Sequence, residues 1–314
     1  MLEVRHLTKR YDRVLALDDV SFRVKEHQVM GLLGVNGAGK TTALSIITGC
    51  MPPGEGQVLL NGMDMQEQPR ACRRLIGFLP EEPPLYNEMT VEEYLHFVCR
   101  LREVEKTEIP EHVEEILEKT ALKDMRRRIL GHLSRGYRQR AGIAQALCGA
   151  PPVLVLDEPT VGLDPRQVTE IREMIMELGK EHTVLFSSHI LTEVQQICSG
   201  ILILHQGRLI HEADMSGLED GAEKQTYTMV VLETEGDVPA AIRSIPGVRK
   251  VRGIQRGEGR CRMTVECSGH GDDVRVRIFH LLSSMNAPIL QLSAQRNSLE
   301  DVFLRVTGEG EAKS

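Results

Sequence analysis

The stretch GVNGAGKTT at residues 34–42 fits the pattern G-x-x-x-x-G-K-[ST]. Glycines let successive backbone N–H groups turn inward around an anion, and the start of a following helix adds positive potential. Lys40 would then reach the β- and γ-phosphates of a nucleoside triphosphate, and the Thr41 hydroxyl would bind Mg2+. Gly34, Asn36, Gly37, Ala38, Gly39 and Thr42 complete the cradle. Much later, VLVLDEP carries two acids at the end of an apolar run. Asp157 beside a phosphate loop would hold Mg2+, and Glu158, one residue on, could polarise an attacking water. Alone, such a pair is a solvated surface feature. Downstream of a phosphate loop it reads as catalytic.

These groups need strands to deliver them. VMGLL precedes the phosphate loop, and residues 40–48 read as the helix that follows it. LEVRHL, DVSFRV, GQVLLNG and IGFLP read as further strands. Residues 90–148 are mostly helical, with Thr90 and Glu93 spaced as a capping box. PPVLVLD, HTVLFSS and GILILH are continuous apolar runs, which suit strands buried on both faces of a parallel sheet.

Composition breaks at MSGLEDGAEKQ (215–225). Beyond it the expected order is strand 226–233, helix 238–245, strands 248–255 and 260–267, helix 273–286 and strand 288–295. RCRMTVEC alternates, with Cys261, Met263, Val265 and Cys267 on one face. Val274, Ile278, Leu281, Leu282 and Met285 share one helical stripe. The order is the βαββαβ, ferredoxin-like arrangement of a small α+β domain. We expect it to occupy 222–307, after an α/β unit over 1–216, with the tail GEGEAKS (308–314) disordered.

The chain has 314 residues, 41% of them hydrophobic, which is enough for two ordinary domains with cores. A formal net charge of -7 gives no sign of bulk attraction to nucleic acid. Seven scattered cysteines without a C-x-x-C argue for reduced thiols in the cytoplasm and against a disulfide framework or zinc site. The charged start MLEVRHLTKRYD is no secretory signal, and no apolar run approaches the ~18 residues of a membrane span. Work at a membrane would require another chain to supply the span.

Taken together, the motifs resemble those of the ATP-binding subunits of ABC transporters, over residues 1 to about 215. LSRGYRQR (133–140) resembles the family's LSGGQ-type signature. EPTVGLDP resembles the stretch into the D-loop, with Asp164 as its aspartate. FSSHILTEV resembles the switch region, with His189 as the γ-phosphate-sensing histidine. Tyr11 lies 29 positions before Lys40, where the family places an aromatic ring against adenine. The resemblance implies an α/β P-loop NTPase cassette, a RecA-like core with a helical subdomain at about 85–150. It implies ATP and Mg2+ as ligands and a second ATPase subunit as partner. In the family, the signature touches the γ-phosphate of ATP held by the opposite subunit. Here Ser134, also a plausible helix N-cap, and the backbone at Gly136 would supply the donors. Carrying both halves of the site, the chain suits a two-fold homodimer. A separate polytopic permease would hold it at the inner face of the membrane.

Four positions depart from the pattern. Arg135 replaces a signature glycine, Tyr137 a glutamine, and Val35 the commonest Walker A proline. Glu81 in IGFLPEEPPLY stands where a Q-loop glutamine is usual, near Mg2+ and the attacking water. A carboxylate there costs energy unless Mg2+ or a base offsets it. We expect Glu81 to ligate Mg2+ or to pair with a basic residue of the permease. LPEEPPLY, LSRGYRQR and NSLEDVFLRVTG (297–308) most resemble the ABC-2 exporter branch, with its drug-resistance, copper-processing and gliding-motility subunits. The alternatives are a soluble ABC ATPase acting on nucleic acid or ribosomes, and a nucleotide-dependent regulator that does not hydrolyse. Six cations between 249 and 262 (Arg249, Lys250, Arg252, Arg256, Arg260, Arg262) against Glu258 suit anionic lipid, an acidic partner or a solvated hairpin face.

Overall fold

The computed structural model describes residues 2–215, 224–234, 236–268, 274–295 and 303. They divide into two compact units, the first ending at Met215.

The first unit holds two sheets. The strands β1 (Leu2–Tyr11), β2 (Val14–Val24), β4 (Glu55–Leu60) and β5 (Met63–Asp64) form an antiparallel sheet in the order β2-β1-β4-β5. The other sheet has six strands: β3 (Val29–Leu33), β6 (Ile76–Leu79), β7 (Val153–Leu156), β8 (Thr183–Ser188), β9 (Gly200–His205) and β10 (Arg208–Asp214). Their order is β10-β9-β3-β8-β7-β6, parallel except for the edge strand β10. Every residue of β3, β7 and β8 is buried, as continuous apolar runs require of strands covered on both faces.

Between the sheets runs α1 (Lys40–Ile47). Its Leu44, Ile46 and Ile47 join Leu2, Leu7 and Leu17 of the antiparallel sheet and Leu202 and Leu204 of the parallel one in a single core. Each such leucine or isoleucine contributes about 1.5–3 kcal/mol when buried. The helical layer contains α3 (Val91–Leu101), α4 (Ile109–Lys119) and α5 (Arg135–Leu147), and α2 is the short helix Pro69–Arg74. The capping box at the start of α3 forms: Glu93 N–H donates to Thr90 Oγ1, and Thr90 N–H donates to Glu93 Oε2 at 2.9 Å. The layer meets the sheet at minimal distance. A methyl group added at Gly77 of β6 would lie 2.0 Å from the Ala146 carbonyl of α5. One at Gly142 of α5 would lie 2.5 Å from Leu79. The sequence reading left α6 (Pro165–Glu181), α7 (Leu191–Ile197) and β10 unassigned; the structure adds them.

The second unit contains β11 (Lys224–Leu232), β12 (Val248–Gly257), β13 (Arg260–Ser268) and β14 (Ile289–Gln295), with helices Val238–Arg243 and Val274–Ser284 between them. The sheet is antiparallel in the order β12-β13-β11-β14, the arrangement of a split βαββαβ fold. Cys261, Met263, Val265 and Cys267 point into its core with Ile278 and Leu282. The basic run lies on β12, β13 and their turn, and part of it is neutralised internally. Arg252 pairs with Glu266 at 2.9 Å and Arg256 with Asp237 at 3.0 Å. GEGEAKS and, apart from Phe303, NSLEDVFLRVTG lie outside the described residues. No helix among the described residues is long and apolar enough to cross a membrane.

Candidate functional site

Four neighbouring parallel strands end at the same edge of the sheet, and each hands over a polar segment there. β3 leads into the phosphate loop, β6 toward Glu81, β7 into Asp157-Glu158, and β8 ends in Ser187-Ser188 before His189. Ligands of open α/β sheets bind outside these carboxyl ends. A hollow of about 620 Å3 lies there, within the range of nucleotide-sized sites. Its lining includes Val35 through Thr42, Glu81, Glu158 and His189.

The loop is shaped for an anion. Gly39 precedes α1 at φ 107°, where L side chains are strained, and a methyl there would meet the Ala16 carbonyl at 2.6 Å. No side chain caps α1 and no acid occupies its first turn, so its leading N–H groups and positive end face the hollow. Lys40, only 6% exposed, folds back along the loop. Its ammonium donates to the Gly34 carbonyl at 2.7 Å and lies 3.3 Å from Glu158 Oε1.

The acids are held from behind. The Ser187 hydroxyl accepts from the Glu158 N–H at 2.8 Å and donates to Asp157 Oδ1 at 2.6 Å. Glu158 adopts φ 47°, a left-handed conformation rare for a side-chain-bearing residue, and such backbone collects at functional sites. Its other oxygen, Oε2, lies 2.8 Å from His189 Nδ1. Lys40, Glu158 and His189 therefore form one continuous polar chain across the hollow.

Burial pushes the Asp157 carboxyl above its ordinary value, against the hydrogen bonds from Ser187 and Thr41. A buried carboxylate joined to a hydroxyl beside a phosphate loop fits a divalent cation. Among this chain's residues, Asp157 and Thr41 would hold Mg2+. A carboxyl raised in the folded state binds its proton more tightly than in the unfolded chain. Stability is therefore lost as pH rises through the folded value. Asp157→Asn is accordingly expected to raise the unfolding temperature of the nucleotide-free chain at neutral pH. The expected gain is about 2–4 °C, the span that ~1 kcal/mol covers in a domain of this size. Thermal melts should show the gain vanishing below about pH 4, where the unfolded carboxyl is protonated. A lower melting temperature at pH 7 would refute this account.

The other expected residues lie outside the lining of the hollow. The exposed Tyr11 donates its hydroxyl to Met51 Sδ at 2.9 Å. Asp164 caps α6, accepting from the Gln167 N–H at 2.9 Å. Ser134 occupies the N-cap position of α5, but its side chain makes no capping bond and stays exposed. Gly136 is buried under Gln167. Sequence reasoning missed four buried residues behind the acids: Ser187, bonded to Asp157, and Glu193 with the two hydroxyls it accepts from, Thr160 and Ser188. The two serines next to His189 were the available signal.

The family profile described as ABC transporter matches residues 17–161. The bacitracin transport ATP-binding protein BcrA of Bacillus licheniformis is 30% identical, over 99% of this chain and 98% of that protein. The linearmycin resistance ATP-binding protein LnrL of Bacillus subtilis (strain 168) is 28% identical, over 98% of each. Among solved structures, the dimeric cassette MJ0796 in a post-hydrolysis state with ADP and Pi superposes with a TM-score of 0.63 at 26% identity. It covers 68% of this chain and 99% of that one.

Proposed function

Because the chain belongs to the ABC transporter ATP-binding family, we propose that it is the ATP-hydrolysing subunit of an exporter, driving a separate permease through closure of an ATP-bound dimer. The observation that carries this reading is the chain Lys40–Glu158–His189 across the hollow, beside the Thr41–Asp157 pair. Full-length similarity to proteins named for bacitracin transport and linearmycin resistance favours export over a soluble, nucleic-acid-bound role.

The triphosphate lies on the phosphate loop, and its arrival draws the Lys40 ammonium away from Gly34 and Glu158. That frees Glu158 Oε1 to face the γ-phosphate. Glu158 orients the water and accepts its proton as the water oxygen bonds to the γ-phosphorus. The bond from phosphorus to the bridging oxygen breaks, leaving ADP and inorganic phosphate. His189, next to Glu158, donates to the γ-phosphate oxygens as charge moves onto them. Thr41 and Asp157, with Glu81 at the rim, would hold Mg2+, which would supply charge neutralisation for the triphosphate. The chemistry is mostly positioning and electrostatics. Ser134 and the backbone at Gly136 supply donors to nucleotide on a second copy. Tyr11 supplies the adenine face.

Phosphate release from MgATP by the purified chain, together with its co-purification with a polytopic membrane protein, tests this reading. ATP binding without release, or recovery with nucleic acid instead, would overturn it. Glu81→Gln is expected to keep basal turnover within about threefold, because either group can accept from a coordinated water. Its effect should fall on stimulation by the permease in proteoliposomes. Loss of basal turnover would assign Glu81 to the chemistry.

A further inference from the structure

Glu193 lies four residues after His189, on α7, and is 3% exposed. Burying a carboxylate is costly without donors or a cation to answer it. Among the described residues no ion pair involves Glu193. Two hydroxyls answer it instead, both at Oε2: Thr160 Oγ1 at 2.8 Å and Ser188 Oγ at 3.1 Å. Ser188 Oγ in turn accepts the Ile190 N–H at 3.0 Å, so both neighbours of His189 are fixed. Thr160, itself buried, lies between Glu158 and Asp164. The carbonyls of Glu158 and Thr160 accept from the N–H groups of Val161 and Leu163, which folds that segment into successive tight turns.

One carboxylate oxygen therefore ties the segment leading to Asp164 to the segment bearing His189. These two segments carry the two ends of the His189–Glu158 contact. Resting on the proposed function, we infer that Glu193 is a positioning residue. It couples the 158–164 segment to His189, so that a movement at Asp164 is felt at the γ-phosphate. A glutamine keeps one acceptor oxygen and an alanine keeps none.

The test uses the full-length chain and the variants Glu193→Gln, Glu193→Ala, His189→Ala and the Glu193→Ala/His189→Ala double. For Glu193→Ala, kcat for phosphate release is expected to fall about 10–100-fold, the range that misplacing a catalytic group produces. KM for ATP should stay within about twofold, and Glu193→Gln should recover most of the rate. On the His189→Ala background, Glu193→Ala should cost less than about twofold further, because the two act through one contact. Multiplicative losses, or a rate that Glu193→Gln does not recover, would overturn the coupling. Hydrogen exchange gives a readout that needs no turnover. Peptides covering 158–164 and 188–191 should exchange faster together in Glu193→Ala; acceleration confined to α7 would refute the link. If Glu193→Ala does not fold, Thr160→Val, which removes one donor, is expected to loosen the 188–191 peptide in the same assay. A wild type without phosphate release would count against the proposed hydrolysis alone, leaving the exchange result to decide the coupling.

Discussion

Glu158→Gln is expected to lower ATP turnover by about 10²–10⁴-fold, the contribution of a placed general base, while leaving ATP binding nearly intact. The geometry explains the split. Glu158 Oε1 and Oε2 are held by Lys40 and His189, and its backbone N–H by Ser187. A glutamine keeps the shape and an acceptor for one neighbour, but it cannot take the water's proton. Binding rests on the phosphate loop and Lys40, which the change leaves in place. Nucleotide should therefore persist uncleaved, and light scattering should show the variant shifting from monomer to dimer on adding ATP. Adding Ser134→Phe should abolish that shift, because Ser134 is exposed and uncommitted at the start of α5. Single-turnover phosphate release within about tenfold of wild type would remove Glu158 from the role of base.

Lys40→Ala is expected to reduce kcat/KM by at least about 10²–10³-fold, the cost of removing one preorganised donor to developing charge. Unlike the first change, it should also weaken equilibrium binding of a fluorescent ATP analogue. In the free chain the Lys40 ammonium is one of two groups on the Glu158 carboxylate, and removing one partner of a buried pair is destabilising. A melting curve must therefore accompany the assay. Lys40→Arg is not expected to rescue, since the planar fork of a guanidinium does not match a slot in which an ammonium donates to the Gly34 carbonyl. Affinity retained within about threefold would show that backbone donors alone hold the triphosphate.

The strands that matter most were legible because they are covered on both faces. VLVL and the VLF of TVLFSS are apolar without alternation, as strands of a parallel sheet covered on both faces are. The phosphate loop was legible because its backbone shape admits few residue types. RCRMTVEC gave away its face through strict alternation. Glu193 was not legible. On a short helix beside Gln195 and Gln196 it reads as a solvated acid, and only the fold brings Thr160 under it, 33 residues away in sequence. Helix α6 was missed although Asp164 and Pro165 mark its start, because the same pair also serves as a turn. Tyr11 shows the opposite limit. Its spacing from Lys40 matches the place where the family resemblance puts a ring against adenine, and in the structure its hydroxyl rests on Met51.

The close seating of α5 on β6 bears on how the two halves of the molecule's working surface can move. At Gly77 the Ala146 carbonyl of α5 comes directly against the strand backbone, and at Gly142 the Leu79 and Pro83 side chains close on the helix. Sliding along this seat would drive the Ala146 carbonyl into β6, so a tilt, as of a lever on a fulcrum, is the motion expected to meet least resistance. One arm carries Ser134 at the start of α5, and the fulcrum is the strand whose end leads to Glu81. A small rotation there would swing the exposed serine through an arc relative to Glu81.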